Sequence, residues 1–429
     1  MTDILTTLRE RHLLEDTTSP NLAEALTQPL TLYAGFDPTS DSLQAGNYVT
    51  IMALAHFQRA GHRVIALVGG ATGLIGDPSG KSTERQLLTA EQVETNLVGI
   101  RENLSRFLDF SPSSPNPAIM VNNYDWFGRM PFIDFLRDVG PYFRMGTMLS
   151  KDSVRKRLEA EDGMSFTEFC YQILQGYDFL HLNRTYGCTL QIGGSDQWGN
   201  ITAGTELVRR VLGTEAFGLT FPLVCDSTGR KFGKSEGNAM FLDERKTPCY
   251  DFYQFFMRAL DTDVIRYLKI FTFLPLERIA GLDAALAAAP ERREAQQILA
   301  EEVTRAVHGE RGLAIARQAT EVLFGGSIEG LGAGDLESIF ANVPSATLPA
   351  EQVLGKPVFE IAALAGMLAS KGEARRLVQQ GGLSLNNRRI EGPGTVLEAA
   401  ALIEGRLAVL RGGKKNFFLL KVADAHHGR

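Results

Sequence analysis

The spacing of apolar and polar positions changes period around Gly35. From Leu30 to Ala34 the chain is apolar and reads as a strand, which Gly35 and Asp37-Pro38 bring to a stop. Ser40-Asp41-Ser42 then offers helix N-cap side chains, and an amphipathic run continues to Ala60. After Gly61 the continuous apolar run Val64-Ile65-Ala66-Leu67-Val68 predicts a strand buried on both faces. Strand, glycine turn, helix and strand in that order predict a βαβ unit of a doubly wound parallel sheet. At such a turn backbone N–H groups approach an anion and the positive end of the helix dipole faces the same spot, so a nucleotide phosphate is the natural guest. Any Rossmann-like domain would show the same pattern.

Residues 1–29 are polar and punctuated by leucine, predicting a helix or two packed on the sheet domain. From Tyr33 to about Met240 apolar strands alternate with helices. Two glycine-dense turns interrupt them, GGATGLIGDPSGKSTER at 69–85 and QIGGSDQWGN at 191–200. Between these, NNYDWFGRMPFIDFLRDVG and the segment to about Phe169 predict a helical insertion, about 122–169. After Thr247 the pattern becomes that of long helices, among them Asp261 to Phe271 and Glu291 to Val307. Residues 326–355 are rich in Gly, Ser, Ala and Pro with little periodicity and predict a linker. Beyond it, EIAALAGMLASKGEARRLVQQGG predicts a helix pair broken near Ser370. LSLNNRRI predicts two short strands about Asn386-Asn387, and RLAVLRGGKKNFFLLKV a hairpin about Gly412-Gly413. The expected α/β organisation is a Rossmann-like catalytic domain over 1–246, a helical domain over 247–325, a linker over 326–355 and a small α+β domain over 356–429.

A chain of 429 residues is long enough for two or three domains, each with its own core. No apolar run approaches the ~20 residues that span a membrane, and the N-terminus shows no signal-peptide pattern, so a cytoplasmic protein is expected. The cysteines, Cys170, Cys188, Cys225 and Cys249, form no CxxC pair and suggest neither zinc nor a disulfide framework. Charge is distributed unevenly. Residues 356–429 carry 12 Lys and Arg against 6 Asp and Glu, although the whole chain has a formal charge of -6. A basic C-terminal part on an acidic body points to a polyanionic partner; a solvated surface of mixed charge is the plainer alternative.

Near the end of the first domain lies GRKFGKSEGNAM, with Lys231, Lys234 and Ser235 on a glycine-containing loop. Two lysines three residues apart suit a polyphosphate whose charge builds up during transfer. A basic surface loop would carry the same residues with no ligand. Combined with the strand-turn-helix site early in the chain, however, the KxxKS loop resembles the class I aminoacyl-tRNA synthetases. The words YAGFDPTSDSL, LVGGATGLIGDPSGK, NNYDWFG, SFTEF, LQGYDF and QIGGSDQWGNI are similar to those of the bacterial tyrosyl-tRNA synthetases, in the same order, over about residues 30 to 420.

That resemblance implies a tyrosine pocket made by Tyr33, Asp77, Tyr171, Gln175, Asp178 and Gln197. Tyr33 and Asp178 would hold the substrate phenol, and Asp77, Tyr171 and Gln175 its ammonium group. Tyr171, Gln175 and Asp178 are spaced to share one helical face. A buried site built to hydrogen-bond a hydroxyl rejects phenylalanine, a discrimination for which tyrosyl-tRNA synthetases are the known example. For ATP the resemblance assigns Thr39, Lys81, Arg85, Lys231, Lys234 and Ser235 to the phosphates. Gly46, Asp196 and Gln197 would lie near the ribose and α-phosphate, with Gly35, Asp37 and Gly194 also on the nucleotide side. Mg²⁺ would be held by the phosphates, with no protein metal site. None of the seven histidines falls in a matched motif.

The chain departs from the family at the first signature, where Gln44 and Asn47 stand in place of two histidines. Both keep an amide donor; the option of a positive charge is lost. The C-terminal part resembles the small RNA-binding domain of a ribosomal protein. Lys371, Arg375, Arg376, Arg388, Arg389, Lys414 and Lys415 would there supply phosphate contacts. The resemblance thus implies a homodimeric tyrosine-tRNA ligase whose partners are tRNA(Tyr), L-tyrosine and ATP. Two rivals stand beside it. One is a synthetase-derived RNA-binding protein, weakened at Gln44 and Asn47. The other is a nucleotide-dependent oxidoreductase, which lacks the expected GxGxxG with an acidic residue about twenty positions on.

Overall fold

A computed structural model describes residues 3–77, 88–159, 163–235, 238–323, 325–340, 343–413 and 416–423. The chain divides into two compact units, one of residues 1–247 with 255–307, the other of 248–254 with 308–429.

The first unit is organised on a six-stranded sheet. In chain order its strands are β1 (Asp16–Thr17), β2 (Thr31–Phe36), β3 (Arg63–Val68), β4 (Ile119–Asn122), β5 (Cys188–Gly194) and β6 (Phe217–Phe221), and in space they run β1-β6-β5-β2-β3-β4. All pair in parallel except β1, which lies antiparallel to β6 at one edge. β3 is buried from Val64 to Val68, as expected of a central parallel strand covered on both faces. The chain leaves β2 in one direction toward β3 and β4 and returns at β5 to run the other way. The strand order therefore reverses between β2 and β5, and ligands of such sheets bind outside the carboxyl ends of the strands at that point. A bulge shifts the register there, so that Leu32 faces Leu190 and Tyr33 faces Gln191 while Thr31 faces Cys188.

The helix after β2 begins later than the cap residues suggested. It spans Tyr48–Arg59, preceded by one 3-10 turn over Ala45–Asn47. The polar side chains before it are engaged elsewhere. Ser42 Oγ donates to Asn103 Oδ1 at 3.1 Å, and the Asp41 carboxylate pairs with Lys246. The backbone of 43–45 instead pairs with 240–242, through Ala45 N to Met240 O at 2.8 Å and Leu242 N to Leu43 O at 2.9 Å. Tertiary pairing thus replaces the local caps, and the helix, buried along most of its length, packs under the sheet.

Short helices fill the insertion, Tyr124–Phe127, Phe132–Asp138, Met145–Leu149 and Asp152–Leu158. The long helix Phe166–Tyr186 follows. Ser165 caps it by accepting the Glu168 N–H at 3.2 Å, and Gly187 ends it in the left-handed conformation, which costs glycine little. Phe179, Leu180 and Leu182 from this helix pack with Tyr33, Ile65 and Leu67 from the sheet. Helices Asp261–Phe271 and Leu276–Ala288 complete the unit.

In the second unit, helix Ala333–Ile339, strand β9 (Ser345–Pro349) and helix Ala350–Val353 occupy the stretch that its composition suggested was a linker. β9 lies at a sheet edge and alternates only between exposed and half-buried positions, so no buried face marks it in the sequence. β9 pairs in parallel with β13 (Asn416–Ala423), which pairs antiparallel with β12 (Leu407–Gly412); β10 (Leu383–Leu385) and β11 (Arg388–Arg389) extend the sheet. Asn386 and Asn387, at φ 50° and 60°, form the left-handed turn that joins β10 to β11. The helix pair is Val358–Leu364 and Lys371–Gln379, the second capped by Ser370, which accepts the Glu373 N–H at 3.2 Å.

Candidate active site

A cleft of about 650 Å³ opens at the carboxyl ends of β2 and β5, at the reversal of strand order. On its wall Tyr33 is 1% exposed, its ring edge-on to Phe179 with centroids 5.3 Å apart. Its hydroxyl is buried and has no hydrogen-bond partner among the described residues. Asp178, on the long helix and equally buried, accepts from Asn123 Nδ2 at 3.1 Å and Trp126 Nε1 at 2.9 Å. Burial pushes its carboxyl up to about 8; the two N–H donors pull the other way, and the charge of Asp37 adds to the rise. Burial and the Asp178 charge together push the Tyr33 phenol upward as well. Gln191 on β5 lines the same cleft with its Oε1 buried and unpartnered among the described residues. Orphaned polar atoms in a buried pocket are costly unless a ligand completes them.

Farther along, two carboxylates meet neutral donors. Gln197 Nε2 donates to Asp77 Oδ2 at 2.8 Å, and Gln175 Nε2 donates to Gln197 Oε1 at 3.3 Å. The Tyr171 hydroxyl lies 3.2 and 3.1 Å from the two oxygens of Asp37, and Thr72 Oγ1 approaches the first at 3.4 Å. Asp37, which the resemblance grouped with the nucleotide, is therefore bonded directly to a residue of the ammonium group's set. Two acidic side chains that meet neutral donors among the described residues suit a cation.

At the other end Thr39, Gln44, Gly46, Asn47, Gly194 and Asp196 line the cleft, as does Gly35. Asn47 Oδ1 accepts the Gln44 N–H at 3.0 Å, so the amide oxygen is engaged and its NH₂ is the end available to a ligand. Burial, then the Asp77 charge, raises the Asp196 carboxyl, against the pull of Lys231. At Gly194 an added Cβ would lie 2.7 Å from Asp196 Oδ1, so a side chain there would displace that carboxylate. The end of the KFGKS segment forms β7 (Lys234–Ser235), which pairs antiparallel with β8 (Asn238–Ala239). Lys231 is exposed and is not among the residues lining the cleft. Lys81 and Arg85, and the side chains of Lys234 and Ser235, lie outside the described residues.

Sequence reasoning did not assign Asn123, Trp126, Thr72 and Gln191. Asn123 and Trp126 stood inside NNYDWFG, a word used only as a family mark. Their function of holding Asp178 depends on a contact 52 to 55 residues away in the chain. In the second unit Arg375, Arg376 and Arg389 are exposed, whereas Lys371 pairs with Glu360 at 2.7 Å and Arg388 with Glu329. Lys414 and Lys415 lie outside the described residues.

Known proteins resemble this chain over nearly its whole length. The family model for class I tRNA synthetases (W and Y) matches residues 25–325, and that for the SYY-like C-terminal domain of tyrosine–tRNA ligases matches 335–420. Tyrosine–tRNA ligase of Protochlamydia amoebophila is 49% identical over 425 residues, covering 99% of this chain and 100% of the relative. That of Bacillus caldotenax is 51% identical over 424 residues, covering 98% and 100%. The crystal structure of a C-terminally truncated mitochondrial tyrosyl-tRNA synthetase from Aspergillus nidulans superposes with a TM-score of 0.69 at 32% identity, covering 76% of this chain and 95% of that one. With its sheet, cleft and both matched segments in the family's order, the chain belongs to the tyrosine–tRNA ligase family of class I aminoacyl-tRNA synthetases.

Proposed function

We propose that the protein activates L-tyrosine with ATP, forming tyrosyl-adenylate and pyrophosphate, and then transfers tyrosine to the terminal adenosine of tRNA(Tyr). The observation that carries the substrate choice is the buried, unpartnered hydroxyl of Tyr33 in the same cleft as Asp178. A substrate phenol donating to Asp178 and accepting from Tyr33 completes both; a phenylalanine ring completes neither. Asp37 and Asp77 supply the negative charge that holds the ammonium group, with Tyr171, Gln175 and Gln197 fixing its place.

The tyrosine carboxylate is already ionised near pH 7, so it attacks the α-phosphorus with no general base. The P–O bond to the β-phosphate breaks and pyrophosphate leaves with the electron pair. Catalysis consists of alignment and of stabilising charge on the departing group. Thr39, Gln44 and Asn47 supply neutral donors on the nucleotide side, and Lys81, Arg85, Lys231 and Lys234 supply positive charge. Mg²⁺ arrives bound to the ATP phosphates. Exposed Arg375, Arg376 and Arg389 contact the tRNA backbone. Phe132, Ile133, Met145 and Phe166, 63%, 69%, 59% and 71% exposed, give the insertion an apolar surface that supports a homodimer. For this chain we place the reaction in the cytoplasm.

The test is exchange of labelled pyrophosphate into ATP with each of the twenty amino acids in turn. Exchange with tyrosine alone is expected; exchange with another amino acid, or with none, overturns the reading.

A further inference from the structure

We infer that Asp263 and Arg266 are positioning residues for Lys231, acting through the base of the KFGKS loop; the inference rests on the enzymatic reading above. Both project from helix Asp261–Phe271, which no sequence motif singled out. Asp263 is 3% exposed. Its Oδ2 accepts the backbone N–H of Ser227 at 2.9 Å, and its Oδ1 accepts from Arg266 Nη2 at 3.1 Å. The same Arg266 nitrogen donates to the carbonyl of Cys225. One buried carboxylate and one guanidinium thus grip two backbone groups of a single loop strand.

That strand is the one against which Lys231 is registered. Cys225 and Lys231 face one another in an antiparallel bridge, and Phe232 N donates to Val224 O at 2.9 Å. The turn between them is closed by Asp226, whose Oδ1 accepts the N–H groups of Thr228 and Arg230, each at 2.9 Å. On the following residue the Phe232 ring stacks on Phe271 of the gripping helix, centroids 4.5 Å apart. Gly233, at φ 87°, passes so close to the first signature that an added Cβ would stand 3.0 Å from Gly46 N. The loop is therefore fixed from Cys225 to Gly233, and Lys231 leaves from a held backbone. A long lysine side chain with four rotatable bonds can meet a developing charge at low entropic cost only if its backbone is placed in advance.

A purely structural role would lower stability and leave the balance between binding and chemistry unchanged. The test measures tyrosine affinity at equilibrium and the rate of adenylate formation in full-length Arg266→Met and Asp263→Asn, each alone and combined with Lys231→Ala. Thermal unfolding checks the fold, and the milder Asp263→Asn keeps the helix packing if Arg266→Met does not. The expected result is a loss of about tenfold or more in the chemical step, with tyrosine affinity unchanged. In the Lys231→Ala background neither change should lower the rate further, because the group being positioned is gone. Losses that multiply with Lys231→Ala, or that appear equally in tyrosine affinity, overturn the inference. Parent-like rates in both variants overturn it alone, whereas a parent chain without tyrosine-dependent exchange overturns the enzymatic reading beneath it.

Discussion

Trp126 Nε1 donates to Asp178 Oδ1 at 2.9 Å, and this bond joins the insertion between β4 and β5 to the helix that carries the proposed phenol-binding carboxylate. Asn123 holds the other oxygen at 3.1 Å. The carboxylate is thereby oriented from both sides before any substrate arrives, which is how a site obtains selectivity from one hydrogen bond.

Asp178→Asn is expected to weaken tyrosine activation and to narrow the margin over phenylalanine, since an amide oxygen accepts a phenolic proton less well than a carboxylate. Trp126→Phe should move both in the same direction by less. Relative kcat/KM for the two amino acids measures the effect, and a parent-like ratio in Asp178→Asn excludes the assignment.

Tyrosine binding should depend on pH through the same group. With no substrate bound, burial raises Asp178 to about 8, so at pH 7 the carboxyl holds its proton. A donating phenol selects the ionised form, hence affinity should rise from pH 6 toward 8 and a proton should be released on binding below 8. The sign for stability is opposite to that of an ordinary salt-bridged carboxylate. A folded value raised above the unfolded one removes stability from the empty protein as pH climbs from about 4 to 8. Calorimetry in buffers of different ionisation enthalpy, with Asp178→Asn as the flat control, checks both.

Gln44→Ala and Asn47→Ala should each slow adenylate formation about tenfold, the ~1.4 kcal/mol expected on removing one donor to a transition state. Changing both to histidine should gain little, because Lys81, Arg85, Lys231 and Lys234 already provide charge. Single-turnover rates decide this, and indifference to both alanines would mean that neither residue touches ATP.

Arg375→Glu with Arg376→Glu should leave pyrophosphate exchange intact while tRNA charging falls, and should flatten the dependence of tRNA affinity on salt. These exposed positions are a better probe than truncation near Leu354. Such a cut would strip β9 of its partner β13 and remove Leu407, Val409, Phe417 and Leu419 from the cluster they share with Leu336 and Phe340. Charging at the parent rate by the double variant would assign the basic face another task.

Glu168→Ala should destabilise the fold by about 3 kcal/mol or more, because it takes the bidentate partner from Arg157, which is only 2% exposed. Chemical denaturation measures the loss, and a change under 1 kcal/mol would show that the Arg157 charge is satisfied by its other contacts.

The elements with strong local signals were legible in the sequence: β2 and β3 around their glycine turn, the capped helix at Ser370 and the Asn386-Asn387 turn all depend on nearby residues. The helix start after β2 was misplaced because Ser40, Asp41 and Ser42 are good caps in isolation, and nothing local reveals that Asn103 and Lys246 engage two of them. β9 was missed since its pairing with β13 spans some seventy residues. In the site, Tyr33, Tyr171, Gln175 and Asp178 line the cleft and had been named through family words, whereas Thr72 and Gln191 line it and had not. The side chains that hold the site, Asn123, Trp126 and Asp263, act across the fold and leave no periodic trace.

The bulge between β2 and β5 makes the chemistry of the cleft a question of odd and even. Side chains on a strand alternate between faces, so an unbroken ladder from the Thr31–Cys188 pair would set Leu190 beside Tyr33 and send Gln191 to the far side. The one additional residue reverses that parity, placing an amide rather than an isobutyl group next to the phenol. Drawing Thr189 into the ladder would therefore change no residue of the site and yet exchange a polar wall for an oily one, whereas deleting it would leave Gln191 opposite Tyr33.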